Sequence, residues 1–216
     1  MNLFFEQYSN DKFHAGSHNN TIDFGFTQLE KLYYFLGFPR IDDMKAHLRS
    51  SYEYIEFKKG TQLIRKGDSC NSLFFIISGS TRIFTYTVDN YEQVFLLSNE
   101  GNIATSVTSF LKNQPSDIFM ETCQKTKMLV LKKDRFEQIM QSELNPSYLH
   151  LLYSLNDKSL YYQKKLTSML YMNSKEKLDY LYNSFPDIFN SFAVKHIASL
   201  SGIKPETLSR IRKTLA

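Results

Sequence analysis

The feature that most constrains this chain is the punctuation of its middle third. Between Tyr52 and Lys132, turn-forming residues interrupt short runs of β-branched and aromatic residues roughly every ten positions. Tyr54–Phe57 alternates, Lys59-Gly60 turns, Gln62–Arg65 follows, and Lys66-Gly67-Asp68 turns again. Ser72–Ile77 is almost wholly apolar and closes at Ser78-Gly79; Ser80–Thr87 alternates, Asp89-Asn90 makes a hairpin with Gln93–Leu97, and Glu100-Gly101 turns once more. A parallel sheet would need helices between such strands, so the spacing predicts an antiparallel barrel or jelly roll.

Helical periodicity lies on both sides of this region. Leu29, Leu32, Tyr33 and Leu36 repeat within Phe26–Phe38, Asp42–Ser50 suggests a second short helix, and Phe136–Met140 a third. Residues 1–25 show no sustained period. Pro146 opens a helical stretch to about Met172, roughly 40 Å at the usual rise and longer than a small domain needs for itself. Tyr148, Leu152, Leu155, Ser159, Tyr162, Leu166 and Met169 follow a 4-3 spacing along it, the seam of a short coiled coil. Packing on the chain's own barrel would use such a stripe too, but Leu149, Leu151 and Leu160 form a second apolar face. A homodimer is therefore expected, with Leu152, Leu155, Tyr162, Leu166 and Met169 at its interface. Asn173, with Glu176 three residues on, has the form of a capping box, so a hinge and a new helix belong there. The expected fold class is α+β, in three parts: a sensor barrel with N-terminal helices over 1–145, a connecting helix over 146–172, and a C-terminal helix-turn-helix over 173–216.

Charge is concentrated at one end. The formal net charge is +4, and all of it resides in Phe192–Ala216, where Lys195, Lys204, Arg210, Arg212 and Lys213 face a single acid, Glu206. The other residues balance to zero. In the same segment, small and apolar residues fall where two tightly crossed helices require them. Ala198 allows close approach, Gly202 suits a left-handed turn, Pro205 fits a first helical turn, and Ile197, Ile203, Leu208 and Ile211 make a small shared core. The exposed face of the second helix then offers Glu206, Thr207, Arg210 and Lys213, with Lys204 just before it. Arginine pairs bidentately with guanine, and Glu206 accepts from cytosine N4 or holds Arg210 at i, i+4. Double-stranded DNA is the expected partner.

With these segments in order, the chain resembles the Crp/Fnr family of bacterial transcription regulators over nearly its whole length. Lys58–Gly60, Arg65–Asp68, Leu73–Gly79 and the run from Ile203 to Arg212 carry the resemblance, the last most specifically. It implies a cyclic-nucleotide-binding-like sensor joined to a helix-turn-helix, a dimer on a palindromic operator, and base contacts from Glu206 and Arg210. The same resemblance places an effector pocket near Thr105, Ser106, Ser116 and Asp117. There the chain departs from the cyclic-AMP receptors, whose ribose-binding Glu and phosphate-binding Arg correspond to Ser106 and to Ser116-Asp117. A carboxylate beside a buried phosphate repels it, and no Arg occurs between Arg82 and Arg135. An effector other than cyclic AMP is expected, if one exists. Two cysteines cannot hold the iron–sulfur cluster of the oxygen-sensing branch, and no His lies between His47 and His150 to ligate haem from the barrel.

No cofactor or metal is expected, since Cys70 and Cys123 form no CxxC pair. Cys123 reads as a small buried hydrophobe; Cys70 falls in a turn, where exposure is expected. His196, beside Lys195, reads as a surface or phosphate-contacting side chain. No Gly-x-Ser-x-Gly elbow, phosphate loop or HExxH motif supports an enzyme. The alternative is a cyclic-nucleotide-binding-like module that signals through protein contacts. No apolar stretch reaches the roughly 20 residues of a membrane helix, and the N-terminus lacks the pattern of a secretory signal, so a cytoplasmic, non-membrane location is expected, with RNA polymerase a candidate further partner.

Overall fold

The computed structural model describes residues 51–141, 170–185 and 187–215, with single positions at 163, 166 and 167. The N-terminal helices and most of the connecting helix lie outside the described residues. Among the described residues eight strands form two antiparallel four-stranded sheets. The strands are β1 (Tyr52–Phe57), β2 (Gln62–Ile64), β3 (Ser72–Ser78), β4 (Ser80–Tyr86), β5 (Glu92–Asn99), β6 (Ile103–Ala104), β7 (Phe119–Thr122) and β8 (Thr126–Lys132). One sheet runs in the order β1-β8-β3-β6 and the other β2-β7-β4-β5. This is the jelly-roll-like arrangement that the turn spacing predicts. Between the sheets, Phe74, Ile76, Ile83, Met120, Met128 and Val130 are buried in one apolar cluster.

Thr122 shows how a polar residue inside this shell is paired with backbone. Thr122 Oγ1 donates to Lys58 O at 2.7 Å and accepts from Thr61 N at 2.9 Å, tying β7 to the turn before β2. At the β3–β4 corner Gly79 has φ +101, and a Cβ there would lie 2.6 Å from Thr126 Oγ1 and 2.8 Å from Lys125 O. Both the backbone conformation and the space therefore demand glycine.

Six helices complete the described residues: α1 (Val107–Lys112), α2 (Lys133–Gln141), α3 (Ser174–Ser184), α4 (Ile188–Ser191), α5 (Val194–Ser201) and α6 (Pro205–Leu215). Helix α1, six residues in the segment that sequence periodicity leaves as loop, ends at Asn113 in the left-handed region. Helix α3 starts as its capping box predicts: Asn173 Oδ1 accepts from Lys175 N and Glu176 N, and Glu176 Oε2 accepts from Asn173 N at 2.8 Å. Helix α5 stops at Gly202, φ +66, with Ile203 N donating to Ala198 O at 3.1 Å, the bond pattern of a glycine-terminated helix. Positions 163, 166, 167, 170 and 171 are helical, and Leu166, Leu170 and Tyr171 expose large apolar side chains. No helix among the described residues is long and apolar enough to cross a membrane.

Residues 52–133 and 172–216 form one compact unit. Within it a second apolar cluster joins Phe84 and Val94 of the sheet to Leu178, Leu181, Ile197, Leu200 and Leu208 of the helices. The sheet β2-β7-β4-β5 carries an apolar cluster on each face, and β5 contributes to both. A bulge between Ile83 and Phe84 shifts β5, so that Leu96 pairs with Ile83 while Val94 pairs with Phe84. Phe95 and Leu96 then pack with the inner cluster, and Val94 and Leu97 with the outer one.

Replacing Gly79 by alanine should lower the unfolding free energy by about 2–4 kcal/mol, because it adds a clash to an unfavourable φ. A urea titration should show the midpoint moving at unchanged slope.

Candidate nucleic-acid interface and sensor site

Helix α6 divides its residues cleanly. Leu208 is fully buried and Ile211 packs against the outer cluster, while Glu206, Arg210, Arg212 and Lys213 are exposed, with Lys204 exposed just ahead of the helix. Thr207 is half-buried. Pro205 opens the helix, where a missing N–H costs nothing. The Arg212 guanidinium lies 4.7 Å from the centroid of the Phe189 ring, which ties the end of α6 to α4. The structure thus gathers Lys204, Glu206, Arg210 and Lys213 on an uncovered surface. A cationic face with one acid, backed by an apolar stripe, can engage phosphates and base edges.

The positions expected to line an effector pocket are placed differently from one another. Ser106 and Ser116 are buried, Thr105 is half-buried and Asp117 is exposed. The hydroxyls of Thr105 and Ser116 are engaged with the chain itself. Thr105 Oγ1 donates to Ser72 O at 2.9 Å, and Ser116 Oγ donates to Ile118 O at 3.0 Å. Ser106 is the N-terminal boundary residue of α1. Nearby, Ser109 Oγ accepts from Cys70 N at 2.8 Å. Cys70 is itself buried in the inner cluster, against the expectation of exposure; the turn around it is folded under α1, and burial follows from that contact.

Of the expected dimer residues, Leu166 is helical and exposed in the single chain. Leu152, Leu155, Tyr162 and Met169 lie outside the described residues. Cys123 is half-buried and packs against the outer cluster, where burial pushes its thiol up to about 12. It is inert at neutral pH. Among the described residues no group of His, Cys, Asp and Glu could hold a metal ion.

Sequence patterns missed one constellation altogether. His196, expected at the surface, is buried. It faces a polar cluster on the outer side of the sheet, since Arg82 belongs to the same face of β4 as Phe84. Arg82 makes a close ion pair with Glu92 through Nη1 and reaches Glu121 Oε1 at 3.2 Å through Nη2, while its guanidinium sits 4.1 Å from the centroid of the Phe84 ring. Burial raises the Glu92 carboxyl, but the hydrogen bond and charge of Arg82 outweigh it and leave its pKa below the usual value. His196 Nδ1 lies 3.6 Å from Glu92 Oε1, too long for a hydrogen bond, and has no other partner. Burial and then the positive Arg82 hold the imidazole down at about 4, against the pull of Glu92. The signal for this cluster was Arg82 itself, a lone arginine within an otherwise uncharged strand.

Residues 54–143 match the cyclic nucleotide-binding domain family. The CRP-like protein Clp of Xanthomonas campestris is 24% identical over 95 residues, 44% of this chain and 41% of Clp, and the Clp of Xanthomonas oryzae matches equally. The chain spans about two fifths of the length of these curated relatives. Among solved structures, the c-di-GMP responsive regulator CLP of Xanthomonas campestris superposes with a TM-score of 0.61 at 18% identity, covering 80% of this chain and 90% of that one. FixK2 of Bradyrhizobium japonicum does so with a TM-score of 0.64 at 12% identity, over 76% and 84% of the two chains. Fold and match together define a cyclic nucleotide-binding domain followed by a helical segment. The motifs in the rest of the chain resemble those of Crp/Fnr regulators, and the solved structures add likeness of fold.

Proposed function

We propose that this chain is a Crp/Fnr-type transcription regulator that binds a palindromic operator as a homodimer, with α5 and α6 as its helix-turn-helix. The observation that carries the reading is the division of α6: its apolar stripe is buried, and Glu206, Arg210 and Lys213 are free at the surface where the chain's net charge is concentrated. Arg210 reads guanine, Glu206 accepts from cytosine or orients Arg210, and Lys204, Thr207 and Lys213 hold phosphates. The regulator relatives support a protein that is not an enzyme. A cytoplasmic location and a contact with RNA polymerase belong to the same proposal.

Sensor barrel, connecting helix and DNA-binding segment divide at 145 and 172 in this reading, with Leu152, Leu155, Tyr162, Leu166 and Met169 forming the dimer seam. Any small-molecule effector is one other than cyclic AMP. Thr105 and Ser116, which would have to meet a nucleotide, already hydrogen-bond the chain's own carbonyls, and Asp117 places a negative charge where a phosphate would need a positive one. CLP of Xanthomonas campestris is described as c-di-GMP responsive, so a change of ligand has precedent on this fold.

In gel shifts against operator and unrelated DNA, Arg210→Ala should lose about 1–3 kcal/mol of operator binding selectively, while Lys213→Ala weakens both kinds of DNA about equally. Unaltered discrimination in both variants would instead favour a module that signals through protein contacts. Light scattering should give twice the chain mass, and Leu166→Asp should reduce it to the monomer by burying an unpaired charge at the seam. Isothermal titration should show no micromolar binding of cyclic AMP or cyclic GMP. Loss of the phosphate contact alone costs a few kcal/mol, roughly two orders of magnitude in affinity.

A further inference from the structure

Helix α5, the first of the proposed DNA-binding pair, does not merely touch the barrel. It caps the open edge of β5, which pairs only with β4 among the described residues. Three hydrogen bonds converge on one residue: Val94 N donates to Ser199 Oγ at 2.8 Å, Ser199 Oγ donates to Glu92 O at 3.1 Å, and Gln93 Nε2 donates to Ser199 O at 2.7 Å. A serine hydroxyl thus takes the place that a neighbouring strand would fill, accepting from one residue of the edge and donating to another. One helical turn earlier, His196 enters the cluster of Arg82, Glu92 and Glu121. Farther along the sheet, Ser80 Oγ donates to Ser191 O at 3.0 Å.

We propose that this contact is a releasable latch between the sensor sheet and the DNA-binding helices, keyed by Ser199 on the β5 edge and opened when His196 takes up a proton. The geometry supplies both properties. Ser199 makes the contact specific in register, because Val94 and Glu92 must stand two residues apart on the same side of the strand. His196 makes it conditional, because its Nδ1 is buried without a hydrogen-bond partner and its surroundings are already charged.

The groups that face His196 come from every packed element. Arg82 on β4 and Lys195 on α5 repel a proton there; Glu92 on β5 and Glu121 on β7 attract one, but both carboxylates are paired to Arg82. Burial and Arg82 prevail, so the docked imidazole titrates at about 4 against 6.5 when free. The released state binds the proton more tightly. Docking is therefore at full strength above pH 6.5 and weakens as pH falls from 6.5 towards 4, by about tenfold between pH 7.5 and pH 5.5.

The Val94 amide reports the latch directly, since its hydrogen bond is to Ser199. Amide hydrogen exchange on the full chain, corrected for the intrinsic effect of pH, should show Val94 protection about tenfold lower at pH 5.5 than at pH 7.5, with amides of β8 unchanged. His196→Gln and His196→Leu should each remove that pH dependence, and Ser199→Ala should strip Val94 of protection at pH 7.5 while β8 stays protected. Equal Val94 protection at the two pH values in the parent protein overturns the proposal. So does a pH dependence that survives in either His196 variant, or a protected Val94 amide in the Ser199 variant.

Discussion

The sheet β2-β7-β4-β5 carries an apolar cluster on each face, and much of the described structure depends on that. A sheet at the wall of a jelly roll ordinarily turns one face to the core and one to water, with side chains alternating accordingly. Here Phe84 and Phe119 stack at 5.3 Å on the outer face, Tyr86 meets both rings edge-on, and Val94 lies beside them. Such a surface must be covered. The chain covers it with its own C-terminal helices, so barrel and helices share one apolar cluster rather than forming separate cores. Fully burying an aromatic or aliphatic side chain is worth about 1.5–3 kcal/mol, so this shared cluster outweighs any single polar contact at its rim.

The polar contacts decide where the helices sit. Apolar surfaces tolerate sliding; a serine hydroxyl bonded to two groups of one strand does not. The ion pairs of Arg82 act in the same sense, since a guanidinium withdrawn from water must keep its carboxylates or lose far more than it gains. Glu92 serves twice, through its side chain to Arg82 and through its backbone carbonyl to Ser199. The β5 edge is thereby tied to the first helix of the proposed DNA-binding pair, and α6 follows α5 across the turn at Gly202.

Much of this was legible in the sequence, and for local reasons. The strand and turn order, the capping box at Asn173, the left-handed Gly202 and the helix start at Pro205 each follow from a few neighbouring residues. What was not legible depends on residues far apart. Alternation along β4 does not say what covers its outer face, because nothing local announces that Phe84 will share a cluster with Leu200 and Leu208. His196 read as a surface residue for the same reason: its burial is decided by Arg82 and Glu92, about a hundred positions earlier. Helix α1 was too short to show a period, and Cys70 is buried only because that helix folds over it. The face of α6 was readable because one helix carries both its stripe and its charges.

The edge of β5 has one more consequence, for the behaviour of the protein in a crowded solution. An uncovered strand edge beside a patch of Phe, Tyr and Val is a template for pairing with another chain, and proteins commonly blunt such edges with charge, bulges or a covering element. Here the covering element is α5, while the exposed Tyr86, Val88 and Tyr91 at the neighbouring hairpin carry no charge of their own. Whenever α5 lifts away, the released molecule presents the edge and its apolar patch together. In the docked arrangement α5 thus does for this edge what one more strand would do, and it keeps the edge and the apolar patch from being offered together.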